Sequence, residues 1–268
     1  MTKNFSSFIK NANATSGDYV IYRKTFELDD FDTVEMTLIN NGLCLVYLNG
    51  LPVVKTYTSV TAEQNNYSKT EVTDFLMPGE NVLAVLICCK NSESHLPFGC
   101  ISLELNANGK TVLKSDNTFL TSKHNGFIDE NCFDSRCEQI EFEYPDYDDS
   151  LWETATEFNQ SITATNGECI INERPVKPKT VKKQGNTLMI EFDKCYNGCL
   201  YLEADGTSGK EIRLTICDGT TETEYKWILK DGFNTFASFV PSNVLKCKLD
   251  FSNGVTIDSD SINLIASK

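Results

Sequence analysis

Carboxylates are the most abundant groups in this sequence that could do chemistry, because Asp and Glu together account for 38 of its 268 residues. Hydrolysis of a glycosidic bond, for example, needs two carboxyl groups placed across that bond, one as acid and one as base or nucleophile. The sequence lacks the G-x-S-x-G elbow, the phosphate-binding P-loop and the H-E-x-x-H helix that mark other reaction types. Without such a motif, carboxylates in this number more often serve to solvate a surface.

Cysteine and histidine are the side chains that could hold a metal ion or form disulfides. The chain has 11 cysteines, and its histidines are His95 and His124. The two cysteines of CYNGC (195–199), like the pair Cys132 and Cys137, lack the C-x-x-C spacing and the histidine partners of a zinc site. An odd cysteine count without a secretory leader predicts reduced thiols, packed as small hydrophobic side chains, and no metal site.

The charge and the hydropathy of the chain narrow the range of partners. A net charge of −14 argues against nucleic acid, because binding of phosphates needs clustered Lys and Arg. The basic run KPKTVKK (177–183) is the one exception, and it is typical of a solvated linker or an edge strand. No apolar stretch approaches the ~20 residues that cross a bilayer, so no membrane partner is expected. The first 18 residues lack the features of a signal peptide, which predicts a cytoplasmic protein.

Short segments in which apolar and polar residues alternate indicate strands along most of the chain. Asn49-Gly50 and Asn108-Gly109 are expected at hairpin turns, because Asn and Gly tolerate the positive φ angles of a type I′ turn. The segment 78–81 is expected to turn the chain into the buried strand VLAVLI, and Thr73 and Asp74 to begin a single helical turn. The pattern predicts an all-β protein built from sandwiches.

Chain length predicts two domains. We expect a poorly ordered tail over residues 1–14, a first domain over residues 15–160 and a second domain over residues 161–268.

The segment DYDDSLWETATEF (146–158) is expected to close the first domain. Asp148 or Asp149 is expected to cap a turn there, and Trp152 to plug the end of the sandwich. An exposed platform on which a sugar ring stacks is the alternative role of Trp152.

Several of these segments, taken in order, resemble the N-terminal region of bacterial-type α-L-rhamnosidases. The matching motifs are SDNTFL (115–120), FDSR (133–136) and YDDSLWETA (147–155), and the likeness continues through GNTLMIEFDKC and YKWILKDGFNTF. The resemblance implies a galactose-binding-like jelly-roll sandwich followed by a second, smaller β-sandwich. It also implies a protein that is not an enzyme, because catalysis in that family resides in a helical barrel with no counterpart in this sequence.

The resemblance further implies a sugar site on the jelly roll, since this domain can bind rhamnose in such enzymes, sometimes with a calcium ion. The positions that match are Asp116, Asn117, Asp134 and Arg136. Asp and Asn suit recognition of hydroxyl groups, and calcium takes oxygen ligands. The structural alternative is that Asp116 and Asn117 shape a turn at the end of a hairpin while Arg136 pairs with Asp134. We expect no other cofactor.

Two functions remain open from the sequence. The first is a non-catalytic, carbohydrate-binding-like protein whose partner is a glycan. The second is an intracellular scaffold or assembly subunit, for example a cytoskeletal one, that reuses the jelly roll without binding sugar and has a protein partner. The matches SDNT and FDSR favour the first function. The absent leader, the many thiols and departures such as Asn131, where the family usually has an acidic residue, favour the second.

Overall fold

A computed structural model describes residues 2–57, 65–89, 94, 96–129, 131–167 and 171–267. The regular structure of these residues is β-strand apart from one 3₁₀ turn, Thr73–Phe75, which confirms the all-β fold class and the single turn expected at Thr73. The strands in chain order are β1 (Thr2–Lys10), β2 (Tyr19–Leu28), β3 (Val34–Asn40), β4 (Leu43–Leu48), β5 (Leu51–Thr56), β6 (Asn66–Glu71), β7 (Gly79–Cys88), β8 (Ile101–Ala107), β9 (Lys110–Lys114), β10 (Leu120–Lys123), β11 (Phe127–Asp129), β12 (Cys132–Asp134), β13 (Glu153–Thr154), β14 (Thr156–Asn166), β15 (Glu173–Val176), β16 (Thr180–Gln184), β17 (Thr187–Gly206), β18 (Glu211–Cys217), β19 (Glu222–Ile228), β20 (Gly232–Ala237), β21 (Ser242–Phe251) and β22 (Thr256–Ser267).

The chain forms two compact units, and neither of them is continuous in sequence. The first unit comprises Met1–His124 and Gln139–Ile171, and the second comprises Asn125–Glu138 and Asn172–Lys268. The expected boundary at residue 160 falls inside strand β14, which belongs to the first unit. The excursion Asn125–Glu138 has no composition signal, so only one boundary was predicted.

The first unit is a sandwich of two six-stranded sheets. One sheet has the order β1-β14-β6-β3-β8-β9 and the other has the order β13-β10-β2-β7-β4-β5. Alternate residues of facing strands fill the core between them: Val34, Met36 and Leu38 from β3, and Leu83, Val85 and Ile87 from β7. Burial of each such side chain contributes about 1.5–3 kcal/mol relative to exposure, so the alternation in sequence specifies which face turns inward.

The expectation of a poorly ordered tail is wrong for residues 2–10, which form strand β1. This strand pairs with β14 from Thr2 to Lys10, and it buries Phe5, Phe8 and Ile9. A register shift between Phe5 and Ser7 breaks the two-residue period of its apolar side chains. The pattern FSSFI therefore does not have the strict alternation by which a strand is recognised in a sequence.

Both predicted Asn-Gly hairpins are present. Asn49 and Gly50 have φ angles of 50° and 85°, and Asn108 and Gly109 have φ angles of 49° and 78°. Gly50 has a second constraint, since a Cβ atom on it would lie 2.3 Å from the ring of Tyr144. The turn between β4 and β5 therefore depends on glycine for space as well as for backbone conformation.

One long strand organises the second unit. Strand β17 pairs with β16 and β21 through its first half, and with β22 and β20 through its second half. Its pairing with β21 shifts in register between Glu191 and Tyr196, so CYNGC lies inside a strand at an irregularity of the ladder. Gly198 permits the close approach of β22, because a Cβ atom there would lie 2.4 Å from the carbonyl oxygen of Ile265.

The basic run 177–183 ends on β16, whose pairing among the described residues is with β17 alone. This confirms the predicted edge strand, and lysines there disfavour pairing with another chain. Within the described ranges, no helix has the length and apolar character needed to span a membrane.

Cysteines pack as small hydrophobic side chains, as predicted. Cys44, Cys89 and Cys100 are buried in the first unit, and Cys199 and Cys247 are buried in the second. Burial raises the pKa of Cys100 and of Cys247 to about 12, which keeps both as unreactive thiols. Cys169 lies outside the described residues.

Arg23 anchors the loop that closes the first unit. Its side chain, buried in the middle of β2, donates to the carbonyl oxygens of Phe142 at 3.0 Å, Tyr144 at 2.8 Å and Pro145 at 3.1 Å. It also forms an ion pair with Asp149. The loop, residues 139–152, has no strand of its own, and the Arg23 guanidinium bonds to four of its residues.

The aspartates and the tryptophan of this loop have distinct roles. Asp148 accepts a hydrogen bond from the Ser150 N–H at 3.0 Å, which confirms that it caps a turn. Trp152 is half-buried and packs edge-on against Tyr147, with ring centroids 5.5 Å apart. Trp152 therefore does not plug the sandwich, and the fully buried rings in that core are Tyr22 and Phe119.

Arg23→Met should lower the free energy of unfolding by about 3 kcal/mol, because it leaves three carbonyl groups and the Asp149 carboxylate without their donor. Urea denaturation measures the loss. Lys24→Met is the matched control, since Lys24 makes an exposed hydrogen bond of 3.3 Å to the Thr118 carbonyl oxygen and should cost less than about 0.5 kcal/mol. Equal losses in the two variants would contradict the anchoring role.

Candidate functional site

The SDNT segment is a crossing between the two sheets of the first unit. It follows β9 of one sheet and precedes β10 of the other, so it does not close a hairpin. Ser115 is buried and bonds to the backbone of Leu103 in β8. Its Oγ accepts a hydrogen bond from the Leu103 N–H at 2.7 Å and donates one to the Leu103 carbonyl oxygen at 3.2 Å. Phe119 enters the core.

Asp116 caps the turn of this crossing. Its Oδ1 accepts from the N–H of Thr118 at 2.8 Å and from the hydroxyl of the same residue. Asn117 is exposed, and its side chain makes no hydrogen bond among the described residues. Of the two predicted sugar ligands, one is therefore engaged in the turn and the other points to solvent without a neighbour that would complete a site.

The FDSR segment belongs to the second unit. Asp134 is buried, and its carboxylate accepts three hydrogen bonds from Arg136. The donors are Nε at 2.9 Å, Nη2 at 2.7 Å and the backbone N–H at 3.0 Å. This bidentate pair is the structural alternative expected from the sequence. Because Arg136 bonds to the carboxylate, the pKa of Asp134 lies below its usual value.

The rest of this segment docks β12 onto the edge of β19. The two strands run parallel from Cys132 to Asp134. Ser135 accepts a hydrogen bond of 2.6 Å from the indole N–H of Trp227, and Phe133 packs in the core. FDSR thus holds the excursion of the chain in the second unit.

The four predicted site residues do not form one site within either unit. Asp116 and Asn117 belong to the first unit, whereas Asp134 and Arg136 belong to the second. Both carboxylates accept hydrogen bonds from protein donors. In the described part of the chain, no group of three or more His, Cys, Asp or Glu side chains is placed to hold a metal ion.

One of the two histidines lies among the described residues. His124 is buried, and desolvation lowers its pKa to about 4, so it is neutral at physiological pH. His95 lies outside the described residues.

A groove of about 450 Å³ lies on the outer face of the second unit. Its walls come from the β11–β12 turn and from strands β18, β19 and β21. The polar side chains that line it are Asp129, Asn131, Arg213, Thr215, Glu224, Lys226, Lys248 and Asp250.

Strand register aligns these side chains in two rows. Arg213 of β18 lies opposite Lys226 of β19 and opposite Asp250 of β21. Two residues further along β18, Thr215 lies opposite Glu224 of β19 and opposite Lys248 of β21. Directly opposed residues of antiparallel strands point to the same face, so each row crosses three strands.

Ion pairs organise the charges around the groove. Glu211 bonds to Lys226 at 2.7 Å and lies 3.5 Å from Arg213, and Lys248 bonds to Asp250 at 2.6 Å. These lysines lower the pKa of Glu211 and of Asp250, because each hydrogen bond favours the ionised carboxylate. The groove therefore presents hydrogen-bond donors and acceptors of fixed direction to a polar ligand.

Sequence reasoning missed this groove. The signal available was the alternation in KEIRLTIC and in KCKLD, which puts Arg213, Thr215, Lys248 and Asp250 outward on their strands. The alternation identifies a polar face, but it does not say which strands are neighbours or in which register.

Comparison of the sequence with known protein families and with curated proteins gives no match. Comparison of the structure gives α-L-rhamnosidases. The chain is similar to the enzyme from Aspergillus terreus, with a TM-score of 0.78, 15% identity and coverage of 98% of this chain and 36% of that one. It is also similar to the enzyme from Streptomyces avermitilis complexed with L-rhamnose, with a TM-score of 0.76, 14% identity and coverage of 94% and 29%. A third such structure, from Dictyoglumus thermophilum, has a TM-score of 0.74, 16% identity and coverage of 98% and 35%.

These likenesses confirm the predicted resemblance at the level of the fold. The chain spans about a third of the length of the rhamnosidase structures.

Asp116→Ala should lower the free energy of unfolding by about 1 kcal/mol, since the Thr118 N–H and hydroxyl lose their acceptor. Asn117→Ala is the neighbouring control and should change it by less than about 0.5 kcal/mol, because its side chain is exposed and makes no bond in the described structure. Denaturant unfolding of both variants measures the difference. A larger loss in Asn117→Ala than in Asp116→Ala would contradict the assigned turn.

The stability advantage of the native protein over Asp134→Asn should depend on pH. Because the pKa of Asp134 is lowered in the folded state, its contribution is fully present above the unfolded value of about 4 and is lost as the pH falls through the folded value. Urea denaturation of both proteins between pH 7 and pH 3 should show the gap narrowing at the acidic end. A gap of constant size across that range would refute the charge pairing with Arg136.

Proposed function

We propose that this chain is a non-catalytic carbohydrate-binding module and that the groove on the second unit is its binding surface. The observation that carries the proposal is the groove itself, with its rows of directed polar side chains on three neighbouring strands. The fold it shares with part of the α-L-rhamnosidases supports the carbohydrate class and suggests L-rhamnose as a first ligand to test.

The groove suits a saccharide in its size and in its chemistry. A volume of about 450 Å³ falls in the range of about 300–1,000 Å³ typical of small-molecule sites. Sugar hydroxyls both donate and accept hydrogen bonds, and the lining offers Arg and Lys donors, carboxylate acceptors, and the Thr215 hydroxyl and Asn131 amide, which do both.

The electrostatics of the groove fit binding better than hydrolysis. A glycosidase needs one carboxyl group whose pKa is raised so that it stays protonated as the general acid. The pKa of Asp250 and that of Glu211 beside the groove are lowered instead, because each carboxylate pairs with a lysine. We therefore extend the proposal to a protein without glycosidase activity.

The proposal includes a cytoplasmic location for the protein. The described cysteines are free thiols, and six of them are buried. Disulfides persist mainly in oxidising compartments, so an abundance of buried thiols supports a cytoplasmic location.

A scaffold or assembly subunit is the second candidate, and one surface favours it. Residues 139–153 contain six acidic side chains and no basic one. The same loop exposes Ile140, Tyr144 and Leu151, and Leu151 is 95% exposed. Apolar side chains rimmed by charge are typical of surfaces that contact another protein.

Saturation-transfer difference NMR of the full chain with L-rhamnose, D-galactose and D-glucose oligosaccharides tests the proposal. We expect transfer to at least one sugar with millimolar affinity, abolished in Thr215→Trp because the indole fills the groove. Thr25→Trp, on an exposed position of β2 in the first unit, is the control and should leave binding unchanged.

The same titrations decide between the two candidates. Absence of transfer to every sugar, with and without calcium, would eliminate the carbohydrate function and leave the scaffold. If saturation transfer to a sugar persists in Thr215→Trp, the sugar binds outside the groove.

A further inference from the structure

We infer that the ligand of the groove is a saccharide that carries a carboxylate, such as a uronic acid, and that Arg213 is the residue that recognises this group. The inference rests on the proposed function, because it assumes that the groove binds carbohydrate. It adds the chemical class of the ligand and the residue that selects it.

The groove carries much less negative charge than the chain as a whole. Three cations and three carboxylates line it, and Glu211, which pairs with two of these cations, adds a fourth carboxylate at its side, whereas the whole chain has a net charge of −14. An anion approaching this protein is repelled by most of its surface. In the groove the anion meets three cations at short range.

The three cations of the groove are unequally engaged in ion pairs. Lys226 and Lys248 each form a short ion pair, at 2.7 Å with Glu211 and at 2.6 Å with Asp250. The ion pair of Arg213 in the described structure is long, at 3.5 Å to Glu211, and its side chain is 73% exposed. Arg213 therefore retains most of its five N–H donors for a ligand.

Arg213 lies on the central strand of its row, opposite Lys226 on one side and Asp250 on the other. Arg213 and Lys226 repel each other, and Asp250 offsets this repulsion only in part because its carboxylate is bonded to Lys248. Glu211 bridges both of them but reaches Arg213 with only one long contact. A ligand carboxylate placed over Arg213 and Lys226 would complete this compensation, and Thr215 in the next row would meet the hydroxyls of the attached ring.

The geometry of the guanidinium group suits a carboxylate better than the geometry of an ammonium group does. The planar guanidinium fork matches the two oxygens of a carboxylate with a pair of parallel hydrogen bonds, whereas an ammonium group acts as a point charge. Sulfated sugars carry tetrahedral groups that an arginine also binds, so they form a separate arm of the test.

The test is isothermal titration of the full chain with digalacturonic acid and with its methyl ester, which is the same saccharide without charge. The acid should bind at least about tenfold more tightly than the ester. Arg213→Gln should remove that preference while leaving the melting temperature unchanged, because the side chain is exposed. Arg213→Lys should keep part of the preference, since it retains the charge and loses the fork.

Lys246→Gln is the matched control. It removes one positive charge from the same strand as Lys248, and its side chain is 54% exposed outside the groove lining. It should leave the preference for the acid intact, so a general effect of net charge is separated from recognition by Arg213.

Each other outcome overturns a defined part of the reasoning. Equal binding of acid and ester refutes the carboxylate class while carbohydrate binding stands. Tighter binding of a sulfated disaccharide than of the digalacturonate refutes the choice of anion. Retention of the preference in Arg213→Gln refutes the role of that residue. Failure of acid, ester and neutral sugars to bind refutes the proposed function itself.

Discussion

A buried guanidinium must find its hydrogen-bond acceptors inside the protein, and the first unit depends on meeting this constraint at Arg23. Its acceptors come from four residues of the loop that precedes β13, none of them on a strand. The loop places the ring of Tyr144 over Gly50, at the tip of the β4–β5 hairpin. One side chain in the middle of a sheet thus fixes a loop, a hairpin tip and the point at which the chain rejoins its first sandwich.

Local patterns in the sequence predict local structure well in this protein. They fail where a strand pairs with another strand that lies far away in the sequence. The Asn-Gly turns, the strand VLAVLI and the turn at Thr73 follow from conformational preferences of a few adjacent residues. Strand β1 escaped prediction because a bulge disturbs its apolar spacing. The excursion 125–138 escaped because its partner strand, β19, lies far along the chain. Neither pairing partner is encoded in the segment itself.

The candidate site shows the same division. SDNT and FDSR were predicted to carry a sugar site, and the structure shows their polar side chains hydrogen-bonded within a sheet crossing and a docked strand. Short polar residues suit both tasks, turn formation and sugar recognition, so residue type alone does not separate them. The groove could not be derived from sequence, because its rows arise from the register of three strands that are separated in the chain.

The discontinuous units have a consequence for synthesis of the protein. Strand β12 ends at Asp134, and the strand on which it docks begins at Glu222, so about 90 residues separate them. At ~5–20 residues per second, β12 emerges from the ribosome roughly 5 to 20 s before its partner exists. During that interval the first sandwich can assemble only if residues 125–138 loop out of it. The edge of β12 that later pairs with β19 is then unpaired. Nascent chains of this protein therefore expose a pairing edge that the finished molecule covers, and this interval is when a chaperone has most to bind.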